Sequence, residues 1–336
     1  MEARISICIP TFNRADLLFK ALKSVANQTK TPYEVFVVDN CSSDNTEEVV
    51  SRFKNVKFYR NPHNLGLIGN WNRCIELATG EFMTIFHSDD LISPYWYEEW
   101  SRIIAQNYDN KDIGAFCSAF CFIDVNDKLI IKYSIFKKML VLKQGENFKK
   151  LWGRNHCGIP ASGATIFKRS IFTKLGNYVQ RFGIETDSPM NLKIINNYSI
   201  LYYPKILYAH RIHEYQGFRE KKEKKNDERK FNLQRSYLKM LKNFYENELN
   251  VAFKAEFIYK KPVMMYYCIA IYNLLTLNFK RARTIVSIIN EIFPKAVSNI
   301  QDYFILFSML YCYIVEDSWG RISSLFDRNF VKKWVE

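Results

Sequence analysis

Short apolar runs alternate with stretches of helical period through the first third of the chain. Residues 4–9 form an apolar run that predicts a buried strand. Residues 15–28 carry Leu17, Leu18, Ala21, Leu22 and Val25, the spacing of a helix with one face towards a core. The alternation continues with strands at 33–38, 56–59 and 81–86, and helices at 44–53 and 70–78. Ser42, Ser43 or Asp44 is available to cap the helix at 44–53, and Pro94 is placed to open a further helix at a position that tolerates proline. Such alternation is the signature of an α/β domain with parallel strands.

From residue 113 the pattern becomes strand-rich. Residues 113–123 and 128–136 read as strands pairing across a turn at 124–127, with further strands at 164–167 and 200–210 and a helix at 188–196 between them. A dense charge cluster at 219–230 then breaks the composition. Beyond it the chain is helical, with one apolar stripe at Leu233, Tyr237, Met240, Leu241 and Phe244. We expect a domain of residues 1–217 followed by an all-helical region of 218–336. The uncharged runs at 263–279 and 303–315 are too short or too interrupted by Asn and Thr for membrane spans, and read as buried helices.

Composition narrows the class. Of 336 residues, 48% are hydrophobic and 16% aromatic, which excludes a disordered chain. The net charge of +14 points to an anionic partner. Residues 1–215 hold 27 basic and 21 acidic side chains, and residues 216–336 hold 21 and 13, so the larger excess lies in the tail. That placement suits peripheral contact with an anionic membrane surface better than nucleic acid, for which no binding motif is present. The eight cysteines form no CxxC pair and no signal-peptide pattern opens the chain, so a cytoplasmic location is expected, at the membrane face where the tail engages it.

The chemistry gathers at strand ends, where an open parallel sheet binds its ligands. Pro10-Thr11-Phe12-Asn13-Arg14 follows the first strand, and Asp39-Asn40-Cys41-Ser42-Ser43-Asp44 the second. Asn61-Pro62-His63-Asn64-Leu65-Gly66 follows the third, and His87-Ser88-Asp89-Asp90 the fourth. Each cluster alone suits a turn. Four in order, the last with adjacent carboxylates that call for a cation or strong donors, suggest a site for a metal-bound phosphate ligand.

The run Ile5 to Arg14, the segment Val38 to Thr46 and the stretch from Asn64 through Gly69-Asn70-Trp71-Asn72-Arg73 and Ala78-Thr79-Gly80-Glu81 to Asp90 resemble family 2 glycosyltransferases of the GT-A fold. The resemblance covers roughly residues 4–215. It implies a Rossmann-like, mostly parallel sheet flanked by helices, and inverting transfer from a nucleotide-diphosphate sugar, UDP-linked in the first instance. It further implies that Pro10, Thr11, Asn13, Asp39, Asn64, Gly66, Asn72, Ser88, Asp89 and Arg211 line the donor site. Asp89 would be the last acid of the DxD motif and would hold Mn²⁺ or Mg²⁺ with His213, from the Arg-x-His segment Arg211-Ile212-His213. Asp187 would be the catalytic base, with Glu185 as the alternative.

Three positions depart from the family pattern: His87 replaces the first acid of the DxD motif, Trp71 replaces an Arg, and Thr186 replaces an acid beside Asp187. Processive members have several membrane spans and a Gln-x-x-Arg-Trp motif, absent here, so a single-sugar hexosyltransferase acting on a saccharide or lipid-linked saccharide of a surface polysaccharide is expected. A catalytically silent nucleotide-sugar-binding or assembly module is the alternative. A nucleotidyltransferase would need a Gly-rich basic loop after the first strand, where Thr11-Phe12-Asn13-Arg14 stands.

Overall fold

The computed structural model describes residues 2–144, 162–179, 187–213 and Ser287. The chain opens with β1 (Ile5–Thr11), α1 (Ala15–Ala26), β2 (Glu34–Asp39), α2 (Thr46–Ser51), β3 (Lys57–Arg60), α3 (Gly66–Leu77) and β4 (Phe82–Ile85). Every residue of β1, β2 and β4 is buried. Strands covered on both faces show no alternation, which is why they read as continuous apolar runs. Then come β5 (Leu91–Ile92), α4 (Trp96–Gln106), β6 (Ile113–Ile123), β7 (Leu129–Tyr133) and β8 (Leu140–Leu142). The described part closes with β9 (Thr165–Lys168), α5 (Ser170–Leu175), α6 (Ser188–Asn197) and β10 (Ser199–Arg211).

The strands form one sheet in the order β3-β2-β1-β4-β9-β6-β10-β5, with β7 on β6 and β8 on β10. β3, β2, β1 and β4 are mutually parallel. β9 runs antiparallel between β4 and β6, and β10 is parallel to β6. The C-terminal ends of β1–β4 and of β10 therefore meet the same sheet edge. Leu18, Ala21, Leu22 and Val25 of α1 and Trp96, Trp100, Ile103 and Ile104 of α4 share one buried cluster with Ile5, Ile7 and Ile9 of β1 and Val35 and Val37 of β2. Truncating a fully buried Trp100 to Ala would cost about 3–5 kcal/mol.

The predicted hairpin is present, with Phe120 opposite Tyr133 across β6 and β7. Several boundaries move. β1 continues through Pro10 and Thr11, which pair with Val38 and Asp39. The Cys8 carbonyl accepts the Phe86 N–H at 2.8 Å, so residues 8 and 10 turn their backbone groups towards β4. β4 ends at Ile85, so Pro10 has no ladder bond to lose there. α3 starts at Gly66, four residues before the expected start, because the Asn64 carboxamide accepts the Gly66 N–H at 2.8 Å and Gly66 adopts φ 72°. Pro94 precedes α4 rather than opening it: the Trp96 N–H closes a turn onto the Ser93 carbonyl at 2.9 Å. β5, β8 and α5, of two, three and six residues, were too short to show a period. The boundary near 217, both uncharged runs and, apart from Ser287, the helical region 218–336 lie outside the described residues. Among the described residues no helix is long and apolar enough to cross a membrane.

Candidate functional site

Asn13 takes φ 48° and Cys41 φ 66°, left-handed conformations that bend the chain sharply after β1 and β2. Asn tolerates that region, and here its side chain also closes the turn. Its N–H donates to Ser42 Oγ at 2.9 Å, and its Oδ1 accepts the Ser43 N–H at 2.8 Å. None of the expected Ser42, Ser43 or Asp44 is the N-cap of α2, which is Asn45; Asp44 stands one residue before it, and its Oδ1 accepts the Thr46 N–H at 3.2 Å. Asp44 also serves α1, accepting the Ala15 N–H at 2.9 Å. Burial opposes its ionisation, but the Thr46 and Ala15 bonds outweigh this and hold its carboxyl below the usual carboxylate range.

Four asparagines tie the ends of β1, β2 and β3 to α3. Asn40 Nδ2 donates to Asn64 Oδ1 at 2.7 Å, and its Oδ1 accepts from Asn61 Nδ2 at 3.1 Å and the Leu65 N–H at 2.9 Å. Asn61 Nδ2 also reaches Asn70 Oδ1 at 2.9 Å, and Asn70 Nδ2 donates to the Val38 carbonyl at 3.1 Å. Asn40, Asn61 and Asn70 are all buried. Beside this lattice Asp39 is fully buried, accepts the Ser42 N–H at 3.1 Å and lies 3.3 Å from Arg60 Nη1. Thr11 Oγ1 is buried with no hydrogen-bond partner among the described residues, an unmet demand that a ligand hydroxyl suits.

The acidic pair after β4 divides its partners cleanly. Asp89 Oδ2 accepts from Arg14 Nη1 at 2.7 Å and lies 2.9 Å from His213 Nε2. Asp90 is fully buried; its Oδ1 accepts the Arg211 N–H at 2.7 Å, and its Oδ2 accepts the Tyr208 hydroxyl and faces His210 Nδ1 at 3.3 Å and His87 Nδ1 at 3.4 Å. Burial alone would raise the Asp90 carboxyl. The attraction and hydrogen bond of His210, then those of His87, overcome it and hold the group far below the usual range. Trp71 stacks on the His87 ring, centroids 5.6 Å apart at 12°.

The residues expected to hold a metal, Asp89 and His213, are thus in contact, both buried. Their donor atoms are 2.9 Å apart, close to the spacing of about 3 Å between neighbouring ligands of an octahedral ion with bonds near 2.1 Å. A carboxylate oxygen with an imidazole nitrogen suits Mn²⁺ and is compatible with Mg²⁺. The pair therefore fits such an ion, with Arg14 holding the same oxygen.

Other expected residues are placed differently from one another. Ser88 is buried in the same turn, and Pro10, Thr11, Asn13, Asp39, Asn64 and Gly66 gather at the ends of β1–β3. Asn72 is engaged elsewhere: its Nδ2 and Oδ1 bond the Tyr178 carbonyl and N–H at 2.9 and 3.0 Å, bridging α3 to residue 178. Arg211 is fully buried and supports the acidic pair rather than presenting its charge to solvent. Its Nε donates to the Asp89 carbonyl at 2.7 Å, its Nη1 to the Asp124 carbonyl at 2.9 Å, and it pairs with Asp127. Asp187 stands directly before α6, half-buried, and groups with a second compact unit rather than with the sheet; Glu185 lies outside the described residues. Asp90 was read from the sequence only as half of the adjacent carboxylate pair, and Arg14, Asn40, Asn61, Asn70, Tyr208 and His210 were given no individual role; the order of strand ends pointed to the first four loops, but their pairings are tertiary.

Cys8, Cys74, Cys117 and Cys121 are buried free thiols, and burial pushes the Cys121 thiol up to about 12. An open depression bounded by Glu2, Arg4, Lys30, Thr31, Tyr33 and Tyr97 lies at the opposite sheet edge, where β1 and β2 begin, and holds none of the expected residues.

A mixed sheet whose parallel strands β1–β4 end in polar loops, with a paired-acid turn and a buried unpartnered Thr11 hydroxyl, is the frame of an α/β protein with a candidate ligand site at those ends. The profile of the family described as "Glycosyl transferase family 2" matches residues 6–176, and the chain belongs to that family. It is 38% identical over 96 residues to the abequosyltransferase RfbV of Salmonella typhimurium, a stretch that is 26% of this chain and 29% of that protein. It is 39% identical over 92 residues to the GalNAc(5)-diNAcBac-PP-undecaprenol beta-1,3-glucosyltransferase of Campylobacter jejuni, 26% of this chain and 30% of that one. These stretches span less than a third of either relative. The fold is shared with S. aureus TarS 1-349 in complex with UDP-GlcNAc, at TM-score 0.62 and 17% identity over 96% of this chain and 89% of that one. It is also shared with the Pyrobaculum calidifontis mannosyltransferase PcManGT in complex with GDP-Man and Mn2+, at TM-score 0.56 and 14% identity over 98% and 88%.

Proposed function

We propose that the chain is an inverting, metal-dependent hexosyltransferase. It moves one sugar from a nucleotide-diphosphate sugar, with UDP the favoured carrier, to a hydroxyl of a saccharide or lipid-linked saccharide during surface-polysaccharide assembly. The observation that carries this reading is Asp89, a buried carboxylate at the C-terminal end of β4 held by Arg14 and His213. Relatives named as a poly(ribitol-phosphate) beta-glucosyltransferase (Bacillus spizizenii, 32% identical over 118 residues) and as the GalNAc(5)-diNAcBac-PP-undecaprenol beta-1,3-glucosyltransferase above support the acceptor class.

Asp89 and His213 would hold Mn²⁺ or Mg²⁺, which when bound offsets charge on the diphosphate leaving group. Thr11 Oγ1 would receive a hydroxyl of the nucleotide, with Asp39 beside it and the asparagine lattice fixing both. Asp187 would take the proton from the acceptor hydroxyl as its oxygen bonds to the anomeric carbon. The nucleoside diphosphate leaves from the opposite face with the C–O electron pair, which inverts the centre. The basic residues of 218–336 would keep the protein at the membrane surface that carries the acceptor.

A thermal-shift panel of nucleotide sugars with and without Mn²⁺, followed by turnover assays, tests the reading, since occupancy stabilises the folded state. A UDP-sugar shift that requires Mn²⁺ is expected. Asp187→Asn should keep that shift while turnover drops by about 10²–10⁴, the range of general-base catalysis. Activity unchanged by a chelator would remove the metal from the reading. Collapse in Glu185→Gln instead of Asp187→Asn would move the base, and donor binding without turnover on any acceptor would identify a silent binding module.

A further inference from the structure

We propose that His87, Asp90 and His210 form a binding site for a Zn²⁺-type transition ion, separate from the Asp89–His213 pair. One donor atom from each of the three residues lies within 4.8 Å of the other two. The two distances to Asp90 Oδ2 are 3.3 Å from His210 Nδ1 and 3.4 Å from His87 Nδ1. These are long hydrogen bonds beside the roughly 2.9–3.0 Å that is commonest for N–H···O. The same distances also equal the edge of a tetrahedron around an ion with bonds of about 2.0–2.1 Å, an edge of about 3.3–3.4 Å. Bringing the two imidazole nitrogens to the same spacing completes one face of that tetrahedron and leaves the fourth position to water.

The side chains are already held for this. Trp71 stacks on His87, and Phe122 sets its edge against His210 with centroids 5.6 Å apart at 79°. The Arg211 N–H at 2.7 Å and the Tyr208 hydroxyl orient the carboxylate from the protein side. Such outer partners are what fix metal ligands in place. Asp90 is wholly buried, whereas the side chains of His87 and His210 are 23% and 24% exposed, so the cluster opens to solvent only through its imidazoles. Two nitrogens to one oxygen select Zn²⁺ over Mg²⁺ or Ca²⁺. Asp89 is not one of the three grouped donors; its Oδ2 faces Arg14 and His213. An ion here would staple the turn after β4 to β10, a role that does not depend on the transfer reaction.

The test uses the full chain dialysed against Zn²⁺, with Co²⁺ as a coloured substitute. One retained ion is expected, resistant to excess Mg²⁺, with a Co²⁺ spectrum of tetrahedral type and no thiolate charge-transfer absorption. Asp89→Ala and His213→Ala should keep the ion, and Zn²⁺ should still raise the Tm of Asp89→Ala. His87→Gln and His210→Gln should each weaken Zn²⁺ by more than the roughly 10–100-fold that loss of an outer-shell partner produces. Loss of the ion in Asp89→Ala, retention in either histidine variant, displacement by Mg²⁺, or absence of tetrahedral Co²⁺ bands in the unaltered protein would each overturn the proposal. The last outcome needs no variant to fold.

Discussion

The two halves of the ligand-facing sheet edge are held by opposite means. At the ends of β1–β3, neutral carboxamides satisfy one another: Asn40, Asn61, Asn64 and Asn70 share donors and acceptors within one lattice. At the ends of β4 and β10, carboxylates are set against basic side chains, with Asp89 between Arg14 and His213 and Asp90 between two histidines. A closed lattice of amides needs no ligand and can serve as a rigid floor. A cluster of charges keeps a demand that an ion or a phosphate can answer. The difference recurs on a finer scale within the acidic pair, where Asp90 takes a backbone amide and a tyrosine hydroxyl while Asp89 faces the Arg14 guanidinium and the His213 imidazole.

Substitution at the pair breaks the comparison most severely. Asp89→Asn should lower turnover with a nucleotide sugar and Mn²⁺ by at least about 10²–10³, the cost of losing one organised electrostatic contact, with only a small change in Tm. Asp90→Ala should do the reverse in kind. It leaves buried donors of Tyr208 and the Arg211 backbone unanswered and should remove about 3–5 kcal/mol of stability, read from urea unfolding. If both variants lost turnover alone, the division of labour between neighbouring carboxylates would be wrong.

The amide half should respond more mildly. Asn61→Ala strips one partner from Asn40 and one from Asn70, and should cost about 1–3 kcal/mol for the polar atoms left buried. Donor affinity should then weaken without any change in Mn²⁺ dependence. A shift in Mn²⁺ dependence would show that the two halves are not separable.

Much of this edge was legible in the sequence because β1–β4 are mutually parallel, so the loop after each reaches the same side of the sheet although the strands lie in the order β3-β2-β1-β4. Residues 10–14, 39–44, 61–66 and 87–90 fall at successive parallel strand ends, so period and turn chemistry were enough to line them up. What the sequence hid was which polar residues serve the protein and which serve a ligand. Asn40 and Asn61 look like any turn residue, and their burial comes from loops meeting in space. Arg14 and Asp89 pair across 75 residues. Arg211 matched a phosphate-contacting segment, yet the turn after β6 supplies Asp127 and two carbonyls that take up its guanidinium. A charged residue reads as solvent-facing until the fold shows its partners.

Acid titration sharpens the same contrast. The Asp90 carboxyl is depressed in the folded state, so its contribution to stability is complete above the unfolded value near 3.9 and is lost as pH falls towards its folded value. Unfolding free energy should therefore decline from about pH 5 downward, and Asp90→Asn should flatten that limb. A limb of unchanged slope would mean that other carboxylates dominate it.

The smallest effect lies behind the charged half, where α4 braces β10. Burial tends to raise the Glu99 carboxyl, but Lys205, Arg102 and Tyr203 bond to it and bring it to about 2. Its contacts are Lys205 Nζ at 2.7 Å, Arg102 Nη2 at 2.7 Å and Tyr203 Oη at 3.0 Å. Lys205 and Tyr203 belong to β10, the strand that delivers His210 to the site, so the network fixes that strand from the helix side. Lys205 and Arg102 are largely exposed, and solvent screening limits the gain to about 1 kcal/mol or less. Because the folded value is depressed, this increment is present above the unfolded value near 4.3 and fades as pH falls through about 2. Glu99→Gln should thus lower stability slightly at pH 7 and not at all near pH 2, with turnover unchanged. A fall in turnover comparable to that of Asp89→Asn would show that the charged half is set by the brace behind β10 and not by the residues at its end.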